Sequence, residues 1–269
     1  MDFVNASDAI AAARQVSVNK ARLPVPQMLL RGALAGALLG YATSLALIIV
    51  SQGLPPIAAA LCFPVGFVML VLLGLELATG NFAIMVFGID GGEVRWREVA
   101  RNWTWVYIGN LIGSLVYALL FYVAITNMGS SANGPLADQV QKVAQTKTLG
   151  YAALGGRGVA VAFVRGVLCN WMVTLGAVLA FVSRSTIGKI AAMWLPIATF
   201  FAHGYEHSIV NMFVIPAGML LGAPVSVGGW WLWNQIPVTL GNIVAGILLT
   251  GFALSLSYPK TAESRARAA

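Results

Sequence analysis

Charge is scarce in this chain. Only 9% of its 269 residues are Asp, Glu, Lys or Arg, where a soluble domain carries about a quarter, and that shortage excludes an ordinary water-soluble globular protein. Histidine and cysteine occur twice each. Neither C-x-x-C nor any cluster of ligands at metal spacing can be drawn from them, so no metal and no cofactor is expected. Walker loop, dinucleotide fingerprint and nucleophile elbow are absent as well. ATP-driven work by this chain alone is not indicated, and the chain is read as non-enzymatic, with no catalytic residue.

What is abundant is apolar surface, 59% of residues. Apolar runs cover roughly 28–50, 55–77 with a weak continuation to 89, 103–125, 159–182, 190–221 and 235–256. Most reach the about 20 residues that a hydrocarbon core of about 30 Å requires of a helix. The fold class read from this is an all-α integral membrane protein with six transmembrane helices. Three regions follow: an N-terminal segment over 1–27, a membrane domain over 28–257 with halves at about 28–125 and 159–257, and a tail over 258–269. Residues 1–20 have no apolar core behind a basic start, so they are not read as a cleaved signal peptide. Asn5 to Asn19 instead offers a modest amphipathic helix, with Ile10, Ala13, Val16 and Val18 against Asp8, Arg14 and Lys20, expected to lie on the inner membrane surface.

Orientation follows from the cations. Of 16 Lys and Arg, Lys142, Lys147, Arg157 and Arg165 fall on one side and the other 12 on the side of the termini. The positive-inside rule then puts both termini in the cytoplasm of a cell (inner) membrane, and topology accounts for the net charge of +7 without a nucleic-acid partner. Cys62 and Cys169 lie inside predicted spans and are expected to be small core residues. The stretch 127–158 is long, polar and glycine-containing, and reads as a loop covering the outer face.

The organising stretch is Phe200 to Gly218, which sets Gly204, Glu206, His207 and Asn211 inside an apolar run. Gly74, Glu76, Asn81 and Gly88 precede Gly204, Glu206, Asn211 and Gly218 by the same offset (204 − 74 = 206 − 76 = 211 − 81 = 218 − 88 = 130). Both stretches are read as interrupted helices, tolerated in a bilayer only where protein or water covers the free backbone. Arg31-Gly32 matches Arg165-Gly166 at an offset of 134, and Gly109-Asn110 matches Gly241-Asn242 at 132. Spans one to three thus repeat as four to six, and three crossings per repeat turn the second half upside down, with the second and fifth spans broken. Half-helix N-termini inside such a repeat favour an anion over a cation. Glycines at 32, 36 and 40, and at 109 and 113, allow close helix approach, most simply as ordinary tight packing.

His207 is the sharpest chemical candidate, because imidazole titrates near neutrality and can exchange a proton with a passing weak acid. The plain alternative is a neutral histidine hydrogen-bonded inside a bundle. Glu206 beside it and Asn211 one turn later form an orienting network, and Glu206 and Glu76, matched in both halves, read as architecture. His203 reads as packing or vestibule lining.

The string Gly204-Tyr205-Glu206-His207-Ser208-x-x-Asn211-Met212, with Arg165-Gly166-x-Leu168-Cys169-Asn170-Trp171 and the Gly-Asn pairs at 109/110 and 241/242, resembles the formate/nitrite transporter family over all six spans. The resemblance implies a homopentamer of aquaporin-like protomers in the lipid bilayer, each with its own pore for formate, nitrite, hydrosulfide or a similar small monovalent anion or its conjugate acid. It implies His207 as central pore histidine facing Thr79, with Asn170 and Asn211 holding the chamber. It further implies an outer constriction of Phe63 and Phe200 and an inner one of Phe67, Leu77 and Val173. Ala78 stands where some members carry an aromatic. Counted back without gaps from Asn170, Leu154 stands where most members have a vestibule lysine; Arg157 is the nearest stand-in, and Lys147 a weaker one on its loop. The competing functions are a channel for a neutral small solute, such as an undissociated weak acid, hydrogen sulfide or water, and a membrane scaffold that transports nothing, which buried polar groups argue against.

Overall fold

A computed structural model of the protein describes residues 2–131 and 134–259. Ten helices cover the described residues: α1 Ala6–Ala21, α2 Val25–Ser51, α3 Pro56–Leu72, α4 Ala78–Asp90, α5 Trp96–Thr126, α6 Pro135–Ala152, α7 Gly156–Leu179, α8 Thr186–Ala202, α9 Ser208–Leu220 and α10 Val227–Ser257. Only α2, α5, α7 and α10 are long and apolar enough to cross a membrane. Helices α4 and α9 have 13 residues each, about 20 Å at 1.5 Å per residue, so neither crosses alone. Of the expected tail, residues 260–269 lie outside the described residues.

The two halves stop helical hydrogen bonding at the same places. After α3 the Leu75 amide donates to the Leu70 carbonyl, and after α8 the Tyr205 amide donates to the Phe200 carbonyl. These are the six-to-one bonds of a helix ending in a left-handed residue, supplied by Gly74 (φ 63°) and Gly204 (φ 66°). The chain then runs extended through Leu77 (φ −115°, ψ 118°) and His207 (φ −108°, ψ 118°) before α4 and α9 begin. Close packing of α2 on α5, and of α7 on α10, brings the flanking helices in. A Cβ at Gly32 would lie 2.9 Å from the Val106 carbonyl oxygen, one at Gly109 would lie 2.6 Å from that of Leu29, and one at Gly166 would lie 2.7 Å from that of Val238.

Three sequence expectations change. The stretch read as a loop holds α6, whose Ala137, Val140, Ala144, Thr148 and Tyr151 are buried at helical spacing. Small and polar residues on that stripe hid its periodicity. Helix α1 does not turn Arg14 toward water: Arg14 is buried and its Nη2 donates to Asp90 Oδ2 at 3.1 Å, while Ser17 Oγ donates to the Met85 carbonyl at 3.1 Å. The helix docks on α4 through these polar contacts. Cys169 is buried as expected, but Cys62 is exposed on α3.

The glycine contacts give a direct test. Gly113 leaves no space for a methyl group, since its Cβ would collide with the Ala33 carbonyl oxygen. Gly113→Ala is expected to cost about 1–3 kcal/mol by overpacking, read as a lower unfolding midpoint in detergent.

Candidate functional site

The interruptions at 73–77 and 203–207 start at the surface and end inside the protein at Leu77 and His207, and two asparagines from other helices close the backbone there. Asn110 Oδ1 accepts the Ala78 amide at 2.9 Å, while its Nδ2 donates to the Gly32 carbonyl at 2.8 Å and the Glu76 carbonyl at 2.9 Å. Asn242 does the same in the second half, accepting the Ser208 amide at 2.9 Å and donating to Gly166 at 2.8 Å and Glu206 at 3.1 Å. Each side chain thus satisfies two buried backbone groups that no helix serves, an amide and a glutamate carbonyl, each of which would cost about 1–3 kcal/mol unpaired, and adds a second donor to a glycine carbonyl inside a neighbouring helix.

His207 caps α9. Its Nδ1 accepts the Ile209 and Val210 amides, both at 3.2 Å, and its Nε2 lies 3.1 Å from Thr79 Oγ1 in the first turn of α4. Because Nδ1 is an acceptor, the neutral ring carries its hydrogen on Nε2, facing Thr79. Asn170 holds the Thr79 side: its Nδ2 donates to the Thr79 carbonyl at 3.1 Å and the Asn242 carbonyl at 2.7 Å. Glu206 lies behind the histidine and is 2% exposed. Its Oε2 accepts Lys147 Nζ and Asn211 Nδ2, each at 2.8 Å, and its Oε1 accepts the Tyr151 hydroxyl at 2.7 Å.

Aromatic rings cover the histidine. Phe200 stacks on His207 with centroids 5.8 Å apart and meets Phe63 edge-on at 5.8 Å, while Phe201 stacks on Phe63 at 4.0 Å. A cavity of about 180 Å³ on this side is lined by Lys147, Phe200, Tyr205 and His207. A second cavity of about 380 Å³ is lined by Lys20, Phe67, Glu76, Leu77 and Gly80. Phe67, Leu77 and Val173 are buried.

The structure therefore brings His207, Thr79, Asn170, Asn211 and Glu206 together, and places Phe63 and Phe200 beside them. It does not bring Arg157 there. Arg157 and Leu154 are both exposed at the α6–α7 turn, and the cation at Glu206 is Lys147, delivered by α6 rather than by a loop. His203 is exposed, bonded to the Thr199 carbonyl and stacked on Tyr205. Sequence reasoning gave no site role to Tyr151, Asn234 or Lys20. Asn234 Nδ2 donates to the Lys147 carbonyl at 2.9 Å, and Lys20 Nζ donates to Glu76 Oε1 at 2.8 Å. A signal for them exists, since Lys147 and Ala144 follow Lys20 and Ser17 at one offset (147 − 20 = 144 − 17 = 127). A Cβ at Gly88 would meet Ser17 and one at Gly218 would meet Ala144, so α1 and α6 dock in the same way.

A family model described as formate/nitrite transporter matches residues 7–256. The chain belongs to the formate/nitrite transporter family. It is a multi-pass membrane channel or transporter and not an enzyme. The chain is 34% identical over 273 residues to a probable formate transporter of Methanothermobacter thermautotrophicus, covering 96% of this chain and 98% of the relative. Among solved structures it is similar to an FNT family ion channel, with a TM-score of 0.80 at 26% identity over 94% of this chain and 99% of that one. It is also similar to a pentameric formate channel with formate bound, with a TM-score of 0.72 at 28% identity, covering 88% and 98%.

The asparagine braces carry a prediction. Asn242→Leu strands two buried backbone groups, the Ser208 amide and the Glu206 carbonyl, at about 1–3 kcal/mol each, and Asn110→Leu strands the equivalent two. Both variants are expected to fall far below wild type in thermal stability in detergent, and by similar amounts.

Proposed function

We propose that this chain is the protomer of a homopentameric channel that passes formate, nitrite or a similar small monovalent anion through a pore of its own. The observation that carries this reading is the His207–Thr79 pair at 3.1 Å, buried where the N-termini of α4 and α9 meet. Nε2–H and the Thr79 hydroxyl are two donors that an anion can take up when it parts them. The half-helix N-termini add partial positive charge. On either side, Phe63 with Phe200 and Phe67 with Leu77 and Val173 form apolar constrictions that a bare anion crosses only at high cost. The reading includes six spans in two inverted repeats, the second made of α3 and α4 and the fifth of α8 and α9. It also includes the membrane domain over 28–257, both termini in the cytoplasm, and an inner-membrane location. The likeness to a pentameric formate channel with formate bound supports the assembly and the substrate class.

Proton linkage through His207 has a structural condition. Transfer of the Nε2 hydrogen from the neutral ring would leave an imidazolate, so the neutral histidine acts toward the anion as a hydrogen-bond donor. Net proton transfer requires a second proton at Nδ1, which displaces the Ile209 and Val210 amides and opens the cap of α9. Proton transfer and the geometry of that half-helix are coupled.

Formate uptake into vesicles across a pH series tests the reading. A rate that follows total anion supports it, whereas a rate that follows only the undissociated acid favours a neutral-solute channel. His207→Phe removes a hydrogen bond to a charged permeant, about 1.5–3 kcal/mol, so anion flux should fall roughly 10- to 100-fold. In pentamers mixed from wild-type and His207→Phe protomers, flux should fall in proportion to the mutant fraction. Silencing by one mutant subunit would point to a shared pore instead.

A further inference from the structure

The pairs Lys147–Glu206 and Lys20–Glu76 occupy equivalent places, each closed at 2.8 Å over a nearly buried carboxylate. Their surroundings differ. Glu76 accepts Lys20 on Oε1 and Asn81 Nδ2 on Oε2 at 2.7 Å. If Lys20 left, Oε1 would lose its donor. Glu206 accepts Tyr151 on Oε1, and Asn211 at 2.8 Å and Asn234 at 3.3 Å beside Lys147 on Oε2. If Lys147 left, both oxygens would keep donors. Arg165 Nη1 donates to the Tyr151 hydroxyl at 3.2 Å, so a second cation stands behind that oxygen. No tyrosine occupies the corresponding place in the first half, where the offset of 127 that relates Lys20 to Lys147 leads from Tyr151 to Pro24.

We propose that Tyr151, backed by Arg165, is a positioning residue that makes Lys147 releasable. It keeps the Glu206 carboxylate satisfied while the Lys147 ammonium swings into the cavity it shares with His207 and meets an arriving monovalent anion. Lys20 has no such substitute and stays locked on Glu76 as the latch that holds α1. An unpaired buried carboxylate costs several kcal/mol, so the presence of spare donors decides which lysine can move. The inference rests on the anion-channel reading only for what Lys147 meets after it leaves Glu206.

The first test needs no transport and no variant. Competitive acylation of detergent-solubilised wild-type protein with limiting acetic anhydride, read by mass spectrometry, compares two amines of nearly equal cover, 18% and 16% exposed. Lys147 is expected to react several-fold faster than Lys20, and equal rates would overturn the proposal. A double-mutant cycle adds the role of the hydroxyl. Lys147→Gln should lower the unfolding midpoint less than Lys20→Gln does. In the Tyr151→Phe background the two losses should become equal, and an unchanged gap there would sink the assignment to Tyr151. In vesicles, Tyr151→Phe should raise KM for formate about threefold or more while leaving the maximal rate within about twofold, the split expected of a capture step and not of general damage. If wild-type vesicles pass no formate or nitrite, the anion reading fails while acylation and stability still decide whether Lys147 is released. If Tyr151→Phe does not assemble, the wild-type acylation ratio alone decides.

Discussion

The constraint on which everything else depends is that α4 and α9 begin inside the protein, with their first amides and the glutamates before them buried. An unpaired amide or carbonyl in that setting is costly, and in lipid it is excluded. Asn110 and Asn242 meet the constraint with one side chain each, tying an N-terminal amide of a short helix to the carbonyl of the glutamate before it and to a glycine carbonyl on a neighbouring helix. For those side chains to reach, the neighbouring helices must nearly touch. Gly32, Gly109, Gly166 and Gly241 make that possible, each lying against backbone of the facing helix. The glycine spacing, the asparagines and the interrupted helices are one device, used twice.

Chemistry enters where the duplication is broken. At the offset of 130, Leu77, Ala78 and Thr79 correspond to His207, Ser208 and Ile209. The backbone at Leu77 and His207 has nearly the same dihedral angles, so the fold presents two equivalent places facing one another. In one half the extended residue is the polar member, and in the other the polar member is two residues later. His207 therefore finds Thr79 across the interface and not a second histidine, while Leu77 opens on the cavity of the other side. Two histidines would have brought together two rings that each cap a helix with Nδ1. One ring and one hydroxyl leave a pair of donors that a small anion can share. The same breaking of symmetry separates Lys147 from Lys20, because only Glu206 has Tyr151.

The sequence was legible wherever a repeat could be counted. The glycine, glutamate and asparagine of each half and the Gly-Asn pairs all recur at fixed offsets within one run of residues, and their side chains make matching contacts in the structure. Legibility failed at α6, and at α1, whose helix was read, it failed for Arg14. The buried stripe of α6 is alanine, valine and threonine with one tyrosine, and that of α1 includes Arg14 and Ser17. Each docks on glycine, Gly218 or Gly88, and needs small side chains there. A gap-free count for a cation led to Leu154 and Arg157, with Lys147 as the weaker stand-in, and the cation paired with Glu206 is Lys147, two turns before Leu154 on helix α6.

By itself the sequence determined that this chain is a multi-pass membrane protein, which residues recur at fixed offsets between its halves, and which polar residues lie in apolar surroundings. These depend on composition and on spacing along the chain, which are local quantities. Only the tertiary structure decided which partner each polar atom takes: that His207 is an acceptor at Nδ1 and faces Thr79 with Nε2, that Glu206 is shared among Lys147, Tyr151 and Asn211, and that Arg157 stands apart. Those partners lie tens of residues away in the chain. A hydrogen bond is fixed by distance and direction within about 3 Å, and no pattern along a sequence carries that information until the helices are packed.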